Sequence, residues 1–157
     1  MFWAAIVGSK LIGPFMLGNG VKLNSKIYSG FLDDTFLKWY RSQGRAFKQK
    51  CIFMHDNAPS HASRYTVGHL DKKGFRGDKI MTWPAQSPDI NPIKNLWAIV
   101  KMRLYPGPKQ YKSKGDLWKA IQDVCAALKP QEISTLTESM DSRLFSVIQR
   151  NGCYIKM

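Results

Sequence analysis

At 157 residues the chain is long enough to bury the core of one domain. Its 44% hydrophobic content, with five Trp and eight Phe, excludes disorder along the whole length. The formal net charge of +13, from 24 Lys and Arg against 11 Asp and Glu, points to a polyanionic partner, although ribosomal and membrane-surface proteins share such a balance.

The opening MFWAAIVG is apolar, lacks a basic leader and is too short to span a bilayer, so it reads as a buried strand rather than a signal. A second run, LIGPFML, completes a hairpin, with Pro14 suited to an edge. Asn24 or Ser25 caps a helix whose apolar residues, from Ile27 to Trp39, share one face until Gly44. Cys51–Met54 has the continuous apolar character of a strand buried on both faces. A helix from Pro59 to about Lys73 and a strand over Lys79–Trp83 follow. Strand, helix and strand in that order predict a parallel crossover and an α/β layer.

Asn91 and Pro92 are suited to the N-cap and first turn of the next helix, on which Ile93, Leu96, Trp97, Val100 and Leu104 form an apolar stripe. Residues 105–114 read as a loop. Two more helices are predicted, one carrying Leu117, Trp118, Ile121, Val124, Cys125 and Leu128, the other Ile133, Leu136, Met140, Leu144, Val147 and Ile148. Cys51, Cys125 and Cys153 show no ligand spacing, which favours reduced thiols in an intracellular protein over a zinc site.

Metal-dependent phosphoryl transfer needs clustered carboxylates holding two divalent ions about 4 Å apart, one activating the attacking oxygen and one steadying the leaving oxygen. Asp56, at the C-terminal tip of a predicted parallel strand, stands where open sheets bind ligands. An Asp there also serves as an ordinary turn or helix cap.

Two phrases carry a resemblance. HDNAPSH (55–61) is similar to the "DNAP-H" block of Tc1/mariner superfamily transposases, and WPAQSPDINPIKNLW (83–97) to their "WPxQSPDLNPIENLW". MFWAAIVGSKLIGPF resembles the family's "MVWGCFSxxGVGPL", and LTESMDSRLFSVIQRNGCYIKM its C-terminal "LVxSMxxRxxAVIxxxGGxxKY". The resemblance covers nearly the whole chain. It implies an α/β, RNase H-like fold whose two-metal site takes three carboxylates, with Asp56 the second catalytic carboxylate and a metal ligand.

It also implies departures. The third carboxylate position carries Lys94, which has no acceptor for a metal and is expected to inactivate the site. As the third residue of a helix its cation opposes the helix dipole by up to ~1 kcal/mol. It is expected either to pair with Asp56 or to extend into solvent. The family's first Asp lies on a strand upstream of the MVWG-like block, so an incomplete fold is expected: a mixed sheet lacking its first strand, flanked by helices, with C-terminal helices and no helix-turn-helix DNA-binding domain. The open groove left by that strand predicts marginal stability or strand donation by a partner.

The resemblance places Asn57, His61 and Asp89 beside the site, Asp89 as a loop or helix-entry residue. His61 serves there to orient the site or a phosphate, or as an ordinary helix-start residue. His55 reads as structural, on the strand face opposite Asp56. Lys101, Arg103, Lys109, Lys112 and Lys114 are the densest basic region, suited to a phosphate backbone or to a solvated helix face. The expected function is that of a transposase-derived endonuclease-like domain, domesticated or degenerate, that binds DNA without sequence preference in the nucleus. It needs no cofactor as it stands, and Mg2+ or Mn2+ if the family site were complete. An active transposase part and a non-enzymatic protein-interaction remnant, forming a homo-oligomer, are the competing readings.

Overall fold

The N-terminal apolar runs close into an antiparallel hairpin in the computed structural model, which describes residues 1–18, 20–108 and 110–155. Strands β1 (Phe2–Val7) and β2 (Lys10–Met16) pair from Phe2 opposite Met16 to Val7 opposite Lys10. Their register shifts between Trp3 and Ala5, where Gly13 takes φ +105° and a Cβ would lie 3.1 Å from the Trp3 carbonyl. Only glycine meets both demands of this bulge.

The chain divides into two compact units. One joins Met1–Met16 to Ser87–Met157, and the other is Leu17–Gln86. The first unit contains the hairpin and four helices: α5 (Pro92–Leu104), α6 (Lys114–Ala126), α7 (Pro130–Glu138) and α8 (Met140–Gln149). Leu96, Val100 and Leu104 of α5 meet Ile121, Cys125 and Leu128 around α6, and Ile133 and Leu136 of α7, in one buried cluster. The α5 and α6 stripes predicted from periodicity therefore supply the core. The hairpin packs on α6 and α7.

The last predicted helix differs. Ser139 divides it, its hydroxyl donating to the Leu136 carbonyl at 2.7 Å, and α8 turns a different face inward. Leu144 and Ile148 are exposed, while Arg143 is buried. Asn91 caps α5 as expected, its Oδ1 accepting from Ile93 N at 3.1 Å. Asn91→Ala should cost about 1 kcal/mol, with Asn91→Asp much milder. Urea denaturation checks this, and equal losses from the two variants would contradict the cap.

The second unit holds α1 (Ser25–Asp34), α2 (Phe36–Arg41), α3 (Arg45–Lys50) and α4 (Arg64–Lys72). Asn24 Oδ1 caps α1 through Ile27 N at 3.0 Å. The predicted single helix breaks at Thr35, whose hydroxyl donates to the Phe31 carbonyl at 2.6 Å. α3 lies within a basic stretch without a clear apolar period, so periodicity does not announce it. α4 begins after Pro59 because residues 59–63 form turns, and Ser63 Oγ caps it through Thr66 N at 3.1 Å. Phe36, Phe53 and Phe75 pack ring to ring, with centroids 4.7–5.7 Å apart.

The two predicted strands of this unit shrink to one parallel bridge, Phe53 with Ile80. Phe53 N donates to Lys79 O and Met81 N to Phe53 O, both at 2.9 Å. The parallel sense is the one the crossover requires. Two short strands with only each other as partners, among the described residues, hold little ladder. No helix among the described residues is long and apolar enough to cross a membrane.

Candidate functional site

Asp56 follows the bridged residue Phe53 by three positions, in irregular backbone. Its Oδ1 accepts from Ala58 N at 3.2 Å, closing an Asx turn, and from His61 Nδ1 at 2.7 Å. A carboxylate has no proton to give, so His61 carries its proton on Nδ1. The Asp56 side chain is about a third exposed (36%), while that of His61 is 16% exposed.

Tyr28 of α1 stacks on the His61 ring at 4.1 Å, and the His55 ring stacks on it at 5.2 Å with planes 3° apart. The Tyr28 hydroxyl lies 3.3 Å from His55 Nδ1. Strict strand alternation sends His55 and Asp56 to opposite faces. Pairing ends at Phe53, so both reach His61 instead. Burial, then the neighbouring His61, pushes the His55 imidazole down from 6.5 to about 4 against a smaller opposite pull from Asp56. His55 is thus a neutral packing partner at neutral pH.

Asn57 lies in the same segment. Its Nδ2 donates to the Trp83 carbonyl at 2.8 Å, tying the first sequence block to the start of the second. Its visible role is to hold backbone.

In the other unit, Lys94 is exposed in the first turn of α5. Asp89 is 4% exposed, and its Oδ2 accepts from Ile155 N at 2.9 Å. Arg143 Nη1 donates to the Asp89 carbonyl at 3.1 Å and to Asn95 Oδ1 at 2.8 Å, and its Nε donates to Ser139 Oγ at 2.8 Å. Asp89 therefore anchors the C-terminal tail. Arg143 is the residue that sequence reasoning missed. Its place one turn from Met140 and Val147, within the stripe of its helix, was the available signal.

Lys101, Lys112 and Lys114 are exposed. Arg103 forms an ion pair with Glu132. The Glu132 carboxyl sits below its ordinary value, through the Lys129 backbone amide first and Arg103 second. Lys109 lies outside the described residues.

A two-metal centre needs a cluster of hard oxygen ligands. Among the described residues no three His, Cys, Asp or Glu side chains group so as to hold a metal ion. The described residues do not fit such a centre.

The family model described as DDE superfamily endonuclease matches residues 21–117. The Tc3 transposase of Caenorhabditis elegans is 30% identical over 152 residues, covering 97% of this chain and 44% of that protein. The Tcb2 transposase of Caenorhabditis briggsae is 35% identical over 155 residues, covering 97% and 52%. The chain thus spans about half the length of these relatives. The catalytic domain of Mos1 mariner transposase matches with a TM-score of 0.81 at 23% identity, over 98% of this chain and 74% of that one. The same Mos1 domain has been solved with raltegravir and Mg or Mn, and Mos1 itself as a paired-end complex with Mn. The likeness to Mos1 gives this chain an RNase H-like fold. The chain belongs to the DDE superfamily endonucleases, in their Tc1/mariner group.

Proposed function

We propose that this chain is a DDE endonuclease-type domain that binds DNA without sequence preference and does not cleave or join it. One observation carries the reading: the Asp56 carboxylate is engaged by His61 Nδ1 at 2.7 Å, with no third metal-ligating side chain grouped around that pair among the described residues. The third sequence block, with Lys94 where the family motif has an acidic ligand, supports it. On this reading the +13 charge serves phosphate contact. Exposed Lys101, Lys112 and Lys114 contribute to it, Arg103 less so because of Glu132. The place of action is the nucleus, and the ligand is DNA.

Supercoiled plasmid incubated with the full chain and Mn2+ should remain uncut above the no-protein background. Lys94→Glu should not restore cutting, although it should stabilise α5 by about 0.3–1 kcal/mol through the helix dipole. Anisotropy with a labelled duplex should show affinity falling by about a thousandfold between 50 and 200 mM salt if about six phosphates are contacted. Metal-dependent nicking by the wild-type chain that Asp56→Asn abolishes would overturn the reading in favour of an active transposase part. A defined oligomer with no DNA affinity would overturn it in favour of protein interaction.

A further inference from the structure

Helix α8 presents three distinct faces. Arg143 turns inward. Leu144, Phe145 and Ile148 are 46%, 60% and 72% exposed. Ser142, Ser146, Gln149 and Arg150 line one side of a surface cavity of about 610 Å³, closed elsewhere by Asn95 and Ile155. That volume suits a nucleotide-sized ligand, since ligand pockets span roughly 300–1,000 Å³.

The lining is polar, without a carboxylate side chain; the Ser142 and Ser146 hydroxyls donate to the Ser139 and Ser142 carbonyls, which leaves Gln149 and Arg150 as its donors to a ligand. Arg143 adds charge from the floor, while its N–H groups are directed at Asp89, Asn95 and Ser139. The Asp89 carboxylate accepts from Ile155 N. Arg150 is exposed at the C-cap of α8, and its planar fork matches a phosphate. Asn151 and Gly152 then take positive φ, turning the chain so that Ile155 returns to the cavity wall.

The rim is aromatic. Phe145 stands one turn from both Ser142 and Gln149 on α8, hence at the cavity edge. Tyr154, 58% exposed, precedes the wall residue Ile155. Aromatic faces left in water beside a cationic, hydrogen-bonding cavity match what an unpaired nucleotide offers, a base face and a phosphodiester. A duplex keeps its base faces covered.

We propose that this cavity is a single-strand nucleic-acid site, with a phosphodiester held by Arg150 and Gln149 and the adjoining base laid on Phe145. Asp141, on the opposite flank of Phe145 at the start of α8, sets the direction: the phosphate lies toward Arg150. The inference rests on the nucleic-acid-binding reading above and adds a preference for unpaired strand at a defined place.

The test is anisotropy of the full chain with labelled oligothymidylate and, separately, labelled duplex, for wild type, Arg150→Ala, Phe145→Ala and Phe145→Trp. The altered residues are exposed, and circular dichroism verifies that each variant folds. Arg150→Ala and Phe145→Ala should each weaken oligothymidylate binding by about tenfold, in the range for a lost stacked base, while Phe145→Trp retains it and duplex affinity is unchanged. Wild-type affinity for oligothymidylate in both alanine variants, with duplex binding intact, would overturn this site and leave the broader reading standing. Failure of the wild-type chain to bind either probe would overturn both.

Discussion

Arg143→Ala should destabilise the chain by about 3–5 kcal/mol, the cost of removing one partner from a buried charge network. Arg143 is 9% exposed, and its guanidinium donates to the Asp89 carbonyl, Asn95 Oδ1 and Ser139 Oγ. Burial pulls the guanidinium below its ordinary pKa, and the Asp89 charge pulls it back up. Its removal leaves Asp89, 4% exposed, with its charge uncompensated on that side, and weakens the seat of α8 on the start of α5. Arg143→Lys keeps the charge but cannot span the same acceptors, so it should recover only part of the loss. Urea unfolding at neutral pH measures the difference. A loss below about 1 kcal/mol would make this network an ornament of the fold rather than a support.

Acidification should weaken the Tyr28–His55–His61 cluster through one identifiable proton. The His55 imidazole titrates at about 4 in the folded chain and at 6.5 when unfolded. Above 6.5 neither state holds the proton, and the neutral ring contributes fully. Between 6.5 and about 4 the unfolded chain takes up a proton that the folded chain refuses, so stability falls with pH. Below about 4 both states are protonated and the loss levels off. The gap corresponds to at most about 3 kcal/mol. His55→Phe keeps a ring against Phe53 and His61 but cannot titrate. Stability of the variant against wild type across this window isolates His55 from the carboxylates. Identical acid losses in the two proteins would assign the effect elsewhere.

What sequence alone made legible was whatever depends on local chemistry. The hairpin, the Asn91 cap and the α5 and α6 stripes are short-range patterns and appear where periodicity and capping put them. Thr35 and Ser139 look harmless inside an apolar period, yet their hydroxyls take carbonyls of the preceding turn and divide two helices. The strand at 51–54 was legible as apolar, but how much ladder it forms depends on its neighbours. In the site, the resemblance of HDNAPSH to the family block put His61 beside Asp56, while Tyr28 reaches the same cluster from α1, distant in sequence. Arg143 escaped because an arginine on a helix ordinarily faces water, and its partners lie on a different block.

The discontinuous unit has a consequence for the order of synthesis. On the ribosome the hairpin Met1–Met16 is made well before the helices it packs against, α6 and α7. The intervening Leu17–Gln86 unit can complete its own contacts before them. An isolated two-stranded hairpin is marginal in water, so throughout that interval Ala4 and Ile12, both buried in the finished fold, await their cover. The nascent chain therefore carries an unfinished apolar edge from the emergence of the hairpin to that of α6 and α7, which closes it.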